Sequence, residues 1–94
     1  MTNDQIKSIF DKVYNGATNF MTPEIVSYHK KGNLLLEVSK GRGIYGEAIY
    51  GATFLKITDT KYEKCDFNDC VKSEKEAIDL LKRMAELEED DENN

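Results

Sequence analysis

Two helix-start signatures, one near each end of the chain, bracket a central stretch in which apolar residues recur at every second position. That change of period divides the chain into helix, strands and helix. Thr2-Asn3-Asp4-Gln5 has the form of a capping box, in which side chains at both ends satisfy backbone donors that the first turn leaves open. Behind it Ile6, Ile9, Phe10, Val13, Tyr14 and Ala17 line one helical face, while Lys7, Asp11 and Lys12 take the other. The helix is expected to end near Asn15-Gly16, where glycine supplies a left-handed cap. Ser73-Glu74-Lys75-Glu76 repeats the signature, followed by the stripe Ala77, Ile78, Leu81, Met84 and Ala85, with Leu80 and Leu87 widening it.

Between the helices, Ile25, Val26 and Tyr28 form a short strand-like run after Pro23, although Thr22-Pro23 is equally suited to open a helical turn. Lys31-Gly32-Asn33 reads as a turn. Leu34 to Ser39 then alternates, with Leu34, Leu36 and Val38 on one side, and a hairpin is expected. Thr53 to Thr58 alternates again, and Tyr62 to Phe67, after a turn at Thr58-Asp59-Thr60, supplies a fourth run. The fold class expected is α+β: a three- to four-stranded antiparallel sheet with both amphipathic helices on one face.

A chain of 94 residues holds one core and has no room for a second domain. With 39% apolar and 33% charged residues it is expected to fold. No window resembles a membrane helix, and the N-terminal residues lack the layout of a signal peptide, so a cytoplasmic protein is expected. Cys65 and Cys70 then read as reduced thiols rather than a structural disulfide. The net charge of -5 comes from the run Glu88 to Glu92, which leaves 13 acids against 13 Lys and Arg elsewhere. Residues 1–87 read as a neutral domain, and 88–94 as an acidic, disordered tail.

Four of the six glycines, Gly41, Gly43, Gly46 and Gly51, fall within eleven residues, a density that argues against regular strand and for a bulge or sharp connection. Gly41-Arg42-Gly43-Ile44-Tyr45-Gly46 matches G-x-G-x-x-G letter for letter. A dinucleotide motif must open a helix whose N-terminal amides hold the pyrophosphate, and Glu47 to Gly51 is too short to supply one. A kinase glycine loop joins strands, but this chain lacks the catalytic parts. A looser reading keeps the turn amides as an anion nest, with Lys40 and Arg42 adding charge.

Ile44-Tyr45-Gly46-Glu47-Ala48 is echoed by Ile49-Tyr50-Gly51-Ala52-Thr53. Tyr45 and Tyr50 lie on opposite faces of a continuous strand, or on one side if a turn separates them. Tyrosines beside glycines suit a partner-binding surface and are equally ordinary strand residues. Two cysteines and the single His29 are too few for a zinc site, and His29 stands in a charged turn unsuited to a general base. No cofactor is expected. Lys30-Lys31 and Lys40 with Arg42 lie at opposite ends of the hairpin, so they do not add to one nucleic-acid patch, and the neutral body argues against phosphate binding.

From Val38 through the start of the last helix, the order of glycine cluster, Tyr50-Gly51, a β run and then Ser73-x-x-Glu76-Ala77 resembles short uncharacterised proteins of phages and prophages. The resemblance spans about half the chain. It implies an accessory factor that binds a host protein and redirects or inhibits it, defence nucleases included, or one that sequesters a nucleotide signal. It carries no functional residue onto this chain. The leading expectation is a non-enzymatic binding protein that uses Lys40, Gly41, Arg42, Gly43, Tyr45, Gly46 and Tyr50 as its contact surface, or an unpaired strand edge. The second is a module holding a nucleotide or other anion at the same segment. So small a core also suggests a homodimer, with Leu35 and Leu80, which lie off their main stripes, as contacts.

Overall fold

The structure, a computed structural model, describes residues 1–14, 24–59 and 61–92, with the side chains of 66–69 and 88–92 outside the description. Helix α1 spans Asn3–Tyr14, strands β1 to β4 span Glu24–Lys31, Leu34–Arg42, Ala48–Ile57 and Tyr62–Val71, and helix α2 spans Glu74–Glu92. The α+β class and the order of elements are as the periodicity requires. Asn15-Gly16, Thr22-Pro23 and Thr60, where the sequence suggests a cap, a helical turn and part of a turn, lie outside the described residues.

Both helices start where their caps predict. Thr2 N–H donates to Gln5 Oε1 at 2.8 Å, and Gln5 N–H returns to Thr2 Oγ1 at 3.2 Å. That closes the reciprocal box. At α2, Glu76 N–H donates to Ser73 Oγ at 3.2 Å, but the Glu76 carboxylate accepts from the Lys72 amide at 3.0 Å, one residue earlier than the simple box. The second cap reaches further back along the chain.

The four strands form one antiparallel meander in the order β1-β2-β3-β4. Lys31 pairs with Leu34 across a two-residue turn at Gly32-Asn33, where Gly32 has φ +58. A side chain there would be strained. Register runs unbroken along β2 and β3 from Leu34↔Lys56 to Arg42↔Ala48, whereas each outer pair slips once, between Ile25 and Ser27 and between Thr53 and Leu55. Such slips accentuate twist at an edge strand.

The register sends successive side chains of β2 to opposite faces, and both faces are covered. On one, Leu34, Leu36, Val38, Ala52, Phe54 and Val71 bury against Ala77, Leu81 and Ala85 of α2. On the other, Leu35 and Leu55 bury against Ile6 and Phe10 of α1, with Tyr28 and Ile57 at the margin. The helices therefore sandwich the sheet instead of sharing one face, which corrects the expected packing. The reason is the run Leu34-Leu35-Leu36: consecutive apolar residues on a strand can be buried together only if each face has its own cover. Leu35 is fully buried, which takes it out of the proposed dimer contact.

The strands are longer than alternation alone suggests. Gly41 lies inside β2 opposite Ile49, and Gly51 lies inside β3 opposite Ser39 and Cys70, so two of the four clustered glycines sit in regular strand, against expectation. Gly51 is paired on both sides, to β2 and β4, and Gly41 on one, to β3. At the other end of the chain α2 continues through Glu92, so the acidic run at 88–92, expected as a disordered tail, extends that helix. Among the described residues no helix is long and apolar enough to cross a membrane.

Candidate functional site

The segment that the glycine cluster marks is the end of the β2–β3 hairpin. Arg42 pairs with Ala48, and the chain reverses through Gly43 to Glu47. Gly43 N–H donates to the Glu47 carbonyl at 2.8 Å, and Gly46 N–H donates back to the Gly43 carbonyl at 3.1 Å. Gly46 has φ +82. This is the three-residue connection in which a tight turn is followed by a left-handed residue, a position where glycine carries no steric cost.

Glu47 completes the turn. Its Oε2 accepts the Tyr45 amide at 2.9 Å, and its carboxylate lies so close to Gly43 that a Cβ there would overlap it. The bare Gly43 backbone leaves the space into which the acid folds back over the turn. A loop built to cradle an external anion would leave such amides open. Here the chain supplies its own carboxylate.

With the amides turned inward, the side chains at the tip are left in water. Ile44 is 94% exposed and Tyr45 is 93% exposed. Lys40 and Arg42 are exposed on β2, and Lys40 Nζ stands 5.7 Å from the centroid of the Tyr50 ring, its cross-strand partner. Tyr50 itself packs partly against the α2-side core. The expected residues thus divide: Arg42, Gly43, Tyr45 and Gly46 belong to the hairpin end, Gly41 is buried in the ladder, and Lys40 with Tyr50 form a cation–π pair two ladder positions inward. Tyr45 stands in the turn and Tyr50 in β3, so the two do not share a continuous strand, which was one of the two sequence readings.

Two residues at this end escape the motif reading. Ile44 was one of its unspecified letters and Glu47 stood beyond its last glycine. An isoleucine beside a tyrosine between two glycines is the signal for the first, because a turn flanked that way cannot bury either side chain.

Elsewhere, Ser27 Oγ lies 2.9 Å from His29 Nε2 and donates to Glu74 Oε1 at 3.3 Å. In a nucleophilic triad the imidazole stands between hydroxyl and carboxylate. Here the hydroxyl stands in the middle, which makes the chain a tie between β1 and the first residue of α2. On the opposite face Glu37 is buried and its Oε2 accepts a hydrogen bond from Tyr28 Oη at 3.0 Å. Burial, reinforced by the neighbouring Glu37 and more weakly by Asp11, holds the Tyr28 hydroxyl above its ordinary range. Sequence reading passed over Glu37 because alternation assigned it to a solvent face. Among the described residues no group of three or more His, Cys, Asp or Glu side chains is placed to hold a metal ion.

No family model, no curated protein and no solved structure matches this chain.

Proposed function

We propose that the protein is a non-enzymatic binding module that presents Ile44 and Tyr45, with Arg42 beside them, to a partner protein. The observation that carries the reading is the almost complete exposure of an adjacent aliphatic and aromatic pair on a turn fixed by its own hydrogen bonds. Single exposed apolar residues are common and need no explanation. A pre-organised pair is different, because contact area is presented with little ordering cost on binding. The partner class that fits the sequence resemblance is a host protein modulated or inhibited by a phage-type accessory factor, in the cytoplasm.

The anion or nucleotide reading has weaker support, because Glu47 already occupies the Tyr45 amide and places negative charge at the turn. The test is affinity purification from the native host with Ile44→Ser and Tyr45→Ala combined. Capture of the co-purifying protein should be lost while stability changes by no more than about 0.5 kcal/mol, the usual range for exposed positions. An equal loss of stability and capture would mean that the tip belongs to the fold. Tyr50→Ala serves as the opposite control: it should lower the melting temperature, since its ring is packed.

A further inference from the structure

Helix α2 carries apolar surface beyond the stripe of Ala77, Leu81 and Ala85 that the sheet buries. Leu80, Met84 and Leu87, together with Arg83, line an open groove of about 350 Å³ beside the helix. Leu80 and Met84 are rooted in the core beneath, whereas Leu87 is 65% exposed. The spacing of the three residues makes a stripe about two turns long.

The charge around this stripe is lopsided. From Glu86 to Glu92 the sequence holds six acids and no Lys or Arg, all within helical backbone. Acids at a helix C-terminus oppose the macrodipole, and neighbouring acids on one helix repel each other. The last turns of α2 are therefore short of positive charge, immediately beside an open apolar groove.

The geometry points to a basic amphipathic helix of a partner protein as the occupant of this groove, its apolar residues on Leu80, Met84 and Leu87 and its Lys or Arg residues over the acidic turns that follow. Helix-in-groove recognition uses anchors at this spacing. Arg83 repels a cation among the anchors, so the basic residues belong beyond the last of them. A second copy of this chain is a poorer match: in antiparallel packing the six acids would face residues 72–83, where four Lys and Arg are nearly cancelled by three acids. An anionic membrane surface is repelled outright.

The experiment titrates the full chain into two fluorescent synthetic helical peptides, each with leucines at i, i+4 and i+7. One carries lysines in the flanking turns and the other glutamates. The lysine peptide should bind at least tenfold more tightly, as read by anisotropy. Leu87→Asp should then weaken it about tenfold, even though it adds negative charge, a loss near 1.4 kcal/mol. Leu87→Ser, which adds no charge, should reproduce the loss, and Tyr45→Ala should leave binding unchanged and so separate this surface from the hairpin end. Unchanged or tighter binding by Leu87→Asp would overturn the inference, since charge attraction alone would explain the complex. A wild-type dimer that Leu87→Asp converts to monomer in light scattering would overturn it too, by giving the groove to a second copy.

Discussion

The two faces of the sheet are both buried, but by different means. Under α2 the buried side chains of β2, β3 and β4 are aliphatic or aromatic, a continuous layer from Leu34 to Val71. Under α1 the apolar cluster is smaller, centred on Leu35, Leu55, Ile6 and Phe10, and the same sheet face also buries Glu37, Ser39 and Thr53. Tyr28 bridges the two kinds of surface, its ring beside Phe10 at 5.7 Å between centroids and its hydroxyl on Glu37. An apolar face is held by non-directional burial and tolerates repacking. A face with buried polar groups needs particular partners in particular places, and loses more specificity when one is removed.

The largest effect should come from the apolar layer. Phe54→Ala should cost about 3–5 kcal/mol in chemical denaturation, because the ring is fully buried and the cavity it leaves is walled by the strands and α2. A markedly smaller loss would mean that the α2 face closes up easily and that the two faces differ less than their composition suggests.

Next is the polar face. Tyr28→Phe removes a hydrogen bond to a buried carboxyl group and should cost about 1–3 kcal/mol near neutral pH. It should also change the alkaline limb. The Tyr28 hydroxyl is held above its unfolded value of 10.0, so the folded chain keeps a proton that the unfolded chain releases. That contribution is whole below about pH 10 and is lost as pH rises further, because stability falls wherever the unfolded state binds fewer protons. Comparing the slope of stability against pH above 10 in wild type and Tyr28→Phe isolates it; identical slopes would detach Tyr28 from the polar face.

The smallest effect compares the helices that cover the two faces. Thr2→Ala and Ser73→Ala each remove one capping hydroxyl and should cost about 1 kcal/mol. Each variant leaves the other half of its cap in place, Gln5 on the Thr2 amide and Glu76 on the Lys72 amide, so the two losses should be similar in thermal melts.

Much of this architecture could be read from residue order. Both helix starts, the turn at Gly32-Asn33 and the sequence of strands follow from side-chain periodicity and capping chemistry, which act over three or four residues. Leu34-Leu35-Leu36 held the clue to a sheet covered twice, but alternation through Val38 outweighed it. At the candidate site the position of the turn was legible from its glycines. Its content was not: the G-x-G-x-x-G letters drew attention to amides and cations, whereas the folded turn gives its Tyr45 amide to the Glu47 carboxylate and exposes Ile44 and Tyr45.

By itself the sequence determined what each segment becomes, since hydrogen bonding and steric preference along a few residues suffice to choose helix, strand or turn. Only the tertiary structure decided that the helices lie on opposite faces, that Gly41 and Gly51 are held in strands, that Glu37 is buried and bonded to Tyr28, and that Leu87 and the groove beside it are left open on α2. Those outcomes depend on which distant surfaces meet, and burial is shared between surfaces rather than carried by any one stretch of chain.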